Sequence, residues 1–231
     1  LKGEAFAPVA MSINHPYTDT RELPDVLPVF PLTGAVLLPR GELPLNIFEP
    51  RYVEMIDTAI AAERLIGMIQ PQPDGEGPGA PKLYQVGCAG RLTRFSETGD
   101  GRYLITLTGV ARFRIGEEIV SSTPYRRFGV DYRGFEADLL PGAGENAVDR
   151  GSMVSMLRTF AESSKLEIDW ASIDAAPTET LVNALAMMSP FGANEKQALV
   201  EAIDLKTRAE TLVALARLDL AQRDDDRRQW H

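Results

Sequence analysis

Nucleophilic, metal-binding and phosphate-binding chemistry each need a small set of side chains at particular spacings, and this chain offers few of them. It has two histidines, His15 and His231, near opposite ends, and one cysteine, Cys88. Zinc sites draw His and Cys from closely spaced positions, so no metal site is expected. A Ser–His–Asp relay would have to recruit one of those near-terminal histidines, and no Gly-x-Ser-x-Gly elbow is present. Cys88 sits between Gly87 and Ala89 in a strand-like run, the setting of a small buried side chain rather than of a nucleophile. No Gly-x-x-x-x-Gly-Lys-Ser/Thr occurs and no lysine follows a glycine, which argues against a P-loop NTPase. Gly75, Gly77 and Gly79 are interrupted by Pro78 and followed by Pro81, with no helix start behind them. They read as a flexible loop rather than a dinucleotide-binding turn. Paired carboxylates must share a cleft to hydrolyse anything. Here Glu49, Glu54 and Asp57 map to a predicted helix cap and a solvated helix face, and Glu117–Glu118 to a turn. The expectation is a protein that is not an enzyme and needs no cofactor.

Two groups of residues read first as structure, a helix-start corner and a solvated strand face, but also suit binding. The first is the Phe48-Glu49-Pro50-Arg51-Tyr52 corner. A carboxylate at a helix N-terminus can accept backbone N–H bonds and meets the helix dipole favourably, and Arg51 can pair with it or with a distant acid. The second is the row Arg102, Arg112 and Arg114, beside Arg91 or Arg94. That row is expected to face outward, either as a solvated strand face or as a face that contacts anions or peptide, for which planar guanidinium forks are suited.

The elements that must position these residues change character along the chain. Before about residue 135, Pro, Gly and short β-branched or aromatic runs dominate; after it, Ala, Leu and Met recur at helical spacing. Runs 26–32, 35–39 and 43–48 read as strands interrupted by prolines, which should lie at edges or begin pairings because proline cannot donate to a ladder. A helix is predicted over 50–63, with Pro50 at its first position and Tyr52, Met55, Ile56, Ala59 and Ile60 on one face. Residues 65–70 read as a buried strand. Residues 84–95 and 102–115 read as a hairpin closed by 97–101. In its second arm Tyr103, Ile105, Leu107, Ala111, Phe113 and Ile115 share one parity. Arg102, Thr106, Thr108, Arg112 and Arg114 share the other, with a bulge or bend at Gly109. Residues 125–132 add a strand.

Past a linker at 134–146, a stripe of Met153, Met156, Leu157 and Phe160 marks one helix. Thr178 is placed as the cap of a second, which carries Leu181, Leu185 and Met188 and stops before Pro190. Asn194 and Gln197 resemble a capping box opening the next, and Leu205, Leu212 and Leu215 continue the pattern to about Arg223. The domain reading is a partly disordered extension at 1–25, a β-rich part at 26–134, an α-helical part at 135–223 and a frayed tail at 224–231.

Whole-chain numbers bound the partners. The 231 residues carry a net charge of -9, of which residues 135–231 hold -7, so nucleic acid is disfavoured. The segment 91–133 runs the other way, with eight arginines against five acids. No apolar run is long enough to cross a membrane and no signal-peptide core follows Lys2. Met11 is a candidate natural start. A lone cysteine fits a reducing compartment, so a cytoplasmic location is expected.

At several of these positions the sequence resembles the Lon protease N-terminal (substrate-binding) domain family. In the run 27–56, Pro44, Leu45, Ile47, Phe48, Glu49, Arg51 and Tyr52 match the family's "P-L-x-I-F-E-x-R-Y" stretch. Residues 84–92 are similar to its "hxxGThAxI" strand, with Cys88 where Thr is usual. Gly109, Arg112, Phe113 and Ile115 carry its "hxGxxRhxI" element, and residues 184–191 are similar to its helix-ending segment. The resemblance implies an α+β fold, a PUA-like β pseudobarrel followed by an α-helical bundle. It also implies recognition of unfolded or specific protein and peptide clients without the AAA+ and Ser–Lys protease domains, with an adaptor role in protein quality control as the expected use. The client-contacting residues it suggests are Phe48, Glu49, Arg51, Tyr52, Arg112, Met187, Met188 and Phe191. On that reading Arg112→Glu weakens client binding without unfolding the protein. The competing reading is RNA binding by the pseudobarrel, where arginines interleave with Phe95, Tyr103, Phe113, Tyr125, Phe128 and Tyr132.

Overall fold

The computed structural model describes residues 15–73, 80–164 and 169–229. Gly75, Gly77, Gly79, Met11, Lys2 and His231 lie outside them. The fold is α+β. Six strands, β1 (Val26–Pro31), β2 (Glu42–Ile47), β3 (Leu65–Ile69), β4 (Val86–Glu97), β5 (Tyr103–Glu118) and β6 (Arg127–Asp131), are ordered β2-β5-β4-β3-β1-β6. A further β5–β6 pairing closes the last five into a barrel, with β2 laid on the free half of β5. One residue of β5, Val110, is skipped in the β4–β5 register beside Gly109, so the bulge falls in the expected place, with odd positions buried on both sides of it.

Contrary to the edge expectation for proline-bearing strands, β1 is interior, parallel to β3 and antiparallel to β6. Its prolines are tolerated because each lies beyond a neighbour's end. Val29 N–H bonds toward β6 (Arg126 O, 2.9 Å) and Leu32 N–H toward β3 (Ile69 O, 3.0 Å). By alternation Pro28 faces the β3 side one residue before that pairing starts, and Pro31 faces the β6 side after that strand has left. Pro44 follows the rule more simply, on edge strand β2.

Helix α1 (Pro50–Ile60) begins at Pro50 and ends earlier than its pattern suggests. It buries Tyr52, Met55, Ile56 and Ala59 against the barrel interior with Phe30, Ile66 and Leu107. Residues 35–39 do not form a strand; Pro39–Gly109 is their one bridge among the described residues. Their alternation has another cause. Leu37 enters the barrel core, while Val36 and Leu38 enter a second core with the helices.

The helical part comprises α2 (Arg150–Ser164), α3 (Trp170–Ala175), α4 (Thr178–Met188), α5 (Ala193–Glu201) and α6 (Leu205–Gln229). Pro177, not Thr178, occupies the cap of α4, and α6 continues past Arg223 instead of fraying there. No capping box opens α5: Gly192 is its cap. Gln197 is buried and donates to Val86 O at 3.0 Å, and Asn194 accepts from the Tyr84 hydroxyl at 2.6 Å. The 134–146 stretch is no loose linker. It contains the 3₁₀ turn Glu136–Leu139 and buries Phe135 and Asp138.

Candidate functional site

The barrel and helices meet across a polar seam, and that seam decides which arginines are free. Arg112, on the parity expected to face water, is 3% exposed because the 134–139 turn and α5 cover that stretch of β5. Its guanidinium forks onto Asp138 (2.8 and 2.9 Å), donates to Val200 O (3.1 Å) and Ala202 O, and lies over the Phe135 ring. This corrects the expectation of an outward client-binding row: Arg112 has its donors spent and no access to a client. Arg114, two residues on, does remain exposed, stacked over the same ring at 5.2 Å.

Around Arg112 most of the seam is committed as well, with Arg208 Nη2 left buried without a hydrogen-bond partner among the described residues. Arg40 forks onto Glu179 and donates to Asp138 O at 2.6 Å. Asn183 donates to Pro39 O at 3.0 Å. Buried Arg208 donates to Leu199 O and Asn183 Oδ1; loss of solvation first, and Arg112 second, pull its pKa down to about 10. Burial lowers the Lys196 pKa as well, and its ammonium spans Gly34 O and Met187 O. These charges answer the desolvation cost of burying polar groups and fix one docking geometry.

The Phe48–Tyr52 corner divides. Glu49 has the extended backbone of a cap but makes no cap bond; its carboxylate takes the Arg51 fork instead, at 2.7 and 2.9 Å, in solvent. Tyr52 is buried edge-on against Phe30, ring centroids 4.3 Å apart, and burial raises its pKa. Phe48 points out, 63% exposed. At the other end of β2, Met187 packs between the two cores with its sulfur against Gly41, and the adjoining Met188 is 82% exposed. Phe191 is half-buried and lines a small apolar recess of about 30 Å³ among α2, α4 and α6. The structure therefore separates these residues: Tyr52 and Arg112 are framework, Met187 is a wedge, and Phe48 and Met188 are surface.

Between those two exposed side chains runs β2, which pairs with β5 alone among the described strands. Thr106 turns its carbonyl toward β4, where it accepts from Thr93 Oγ1 at 3.2 Å. The opposing Pro44 therefore directs its missing N–H to the open edge, where no ladder bond is lost. Such an edge leaves backbone donors and acceptors without a ladder partner among the described strands. The aromatic set invoked for RNA is not assembled as a stacking surface. Phe113, Tyr125, Phe128 and Tyr132 are buried, and Tyr103 is half-buried against Phe95 and bonded to Asp57.

A family model described as the ATP-dependent protease La (LON) substrate-binding domain matches residues 26–217. The chain belongs to this family. Among curated relatives, Lon protease 2 of Myxococcus xanthus is 28% identical over 222 residues, covering 93% of this chain and 26% of that protein. The Lon protease of Dictyoglomus thermophilum is 26% identical over 204 residues, covering 83% and 24%. The chain thus spans about a quarter of the length of such relatives. Of solved structures, a Lon N-terminal domain protein from Xanthomonas campestris superposes with TM-score 0.57 at 22% identity, covering 82% of this chain and 97% of that one. The N-terminal domain of Mycobacterium avium complex Lon protease gives 0.60 at 18%, covering 83% and 98%. Both share the fold of this Lon substrate-binding domain, whose PUA-like barrel and helical part were legible in its sequence.

Sequence reasoning missed two features of the site. The open edge of β2 is invisible without knowing strand order. A cleft where Tyr17 meets Arg91 joins positions too far apart to show any periodic signal.

Proposed function

We propose that this chain is a non-catalytic polypeptide-recognition module that captures extended, apolar segments of protein clients, acting as an adaptor in cytoplasmic protein quality control. The observation that carries this reading is the open edge of β2 with Phe48 at one end and Met188 near the other. An added strand satisfies its backbone on that edge, and alternate side chains of the client meet the exposed apolar groups. Methionine suits a surface that meets varied sequences, because its flexible thioether repacks at low cost. Pro44 in the middle of the edge leaves Glu42 and Asn46 as its flanking N–H donors, so an added client strand pairs there over a short span. Family membership supports recognition rather than catalysis, since the match is to the substrate-binding domain.

Amide hydrogen exchange tests the proposal. Glu42 and Asn46 direct their N–H groups to the same open edge as Pro44 by strand alternation. Addition of a permanently unfolded polypeptide should slow exchange in 42–47 and leave the buried strand β3 unchanged. Uniform exchange with and without client, under conditions where binding is saturated, rules out the β2 edge as the contact.

A further inference from the structure

We propose that the cleft between Tyr17 and the β4–β5 hairpin binds the C-terminal carboxylate of a polypeptide whose last residue is apolar. The cleft has a volume of about 370 Å³, within the usual range for ligand sites. Its floor is β4 and β5, its walls the 16–17 segment and the 139–141 stretch.

Arg91 is the centre of the argument. Its guanidinium lies 4.3 Å over the Tyr17 ring, and it has no carboxylate within ion-pair distance among the described residues. The neighbouring guanidinium in the cleft, Arg40, is spent on Glu179. Arg91 is thus held in place by an aromatic face, and its planar fork remains available for an anion. Beside it the Thr93 and Thr108 hydroxyls lie 2.9 Å apart; Thr93 donates to the Thr106 carbonyl and Thr108 to Thr93, so both protons are held within the sheet and the Arg91 fork is the anion donor of this corner.

The rest of the lining identifies the carboxylate. Val110, Leu139 and Pro141 make an apolar wall in the same cleft as the guanidinium. A chain terminus carries its carboxylate and its side chain on one Cα, so it fills a charged corner and an apolar wall together. An internal Asp or Glu brings a carboxylate with no apolar group attached at that distance. The local charge agrees, since the 91–133 segment is net positive within an acidic chain.

The proposal rests on the polypeptide-recognition reading, and the test separates the two. Fluorescent peptides of one apolar sequence are titrated in three forms: free C-terminal acid, C-terminal amide, and amide with an internal Glu. The free acid should bind roughly tenfold or more tightly than either amide. Arg91→Met, which removes the guanidinium but keeps an unbranched apolar side chain, should erase that difference while leaving the affinity for the amide unchanged; the melting temperature, which registers the lost guanidinium–Tyr17 contact, serves as the folding control. Equal binding of acid and amide overturns the carboxylate site and leaves the polypeptide reading intact. Binding of the internal-Glu amide as tight as the free acid overturns the terminal assignment. Absence of binding by all three, and by long unfolded chains, overturns both.

Discussion

Arg112→Met removes the charge that joins the barrel to the helices and leaves the rest of the seam in place. The side chain is 3% exposed and that of Asp138 8%, so the carboxylate stays buried when its partner goes. Val200 O and Ala202 O lose their donor at the same time. Breaking a buried pair by removing one member costs about 3–5 kcal/mol. Two features moderate the loss. The Arg112 backbone N–H still donates to Asp138 at 2.9 Å, and Arg208, whose charge Arg112 opposes and Asp138 favours, keeps its attraction to that carboxylate. The expected loss therefore lies toward the lower end of that range, about 3 kcal/mol, or roughly 6–12 °C in melting temperature for a chain of this size. Urea unfolding followed by circular dichroism measures it. Adding Asp138→Asn, which keeps an acceptor for that N–H but removes the stranded charge, should recover about 1–2 kcal/mol of the loss. A single variant within about 1 kcal/mol of wild type, or a double variant no better than the single, refutes the claim that this pair locks the seam.

Other outcomes follow from the same geometry. Gly109→Ala should destabilise by at least about 1–3 kcal/mol, because a Cβ there collides with the Leu38 carbonyl; calorimetric unfolding checks this. Burial, aided by the nearby Asp138 carboxylate, pushes the Cys88 thiol above its ordinary value of 9.0. The unfolded chain then loses that proton first, so this contribution to stability is whole below pH 9 and is lost as pH rises above it. Cys88→Ala should accordingly flatten the decline in unfolding free energy between pH 8 and 10; a slope identical to wild type contradicts it. Phe48→Ser and Met188→Ser should each leave stability within about 0.5 kcal/mol while weakening client binding severalfold in a fluorescence titration.

The parts of the fold that the sequence disclosed are those governed by local alternation. The parity of β5 placed Ile105, Leu107, Ala111 and Phe113 inside, and all four are buried. The 3.6-residue spacing of Tyr52, Met55, Ile56 and Ala59 gave the buried face of α1. Parity failed at Arg112 because it reports which face of a strand a residue occupies, not what later covers that face. Its partner Asp138 lay in a stretch whose Gly and Pro content reads as a linker. The 35–39 run alternates like a strand, but two cores on opposite sides produce the same pattern as one core and solvent. Of the anticipated contact residues, Phe48 and Met188 are at the surface, while Tyr52 belongs to the barrel core. An apolar side chain that packs and one that is exposed look alike in sequence until the neighbouring elements are in place.

Anisotropy of a labelled, permanently unfolded polypeptide titrated with this protein, with a folded protein of similar size as control, tests the recognition claim most directly. The account predicts saturable binding of the unfolded chain, no binding of the folded control, and loss of affinity in the Phe48→Ser/Met188→Ser double variant. Absence of binding up to about 100 μM, corresponding to less than roughly 5–6 kcal/mol, or equal binding of folded and unfolded chains, contradicts it.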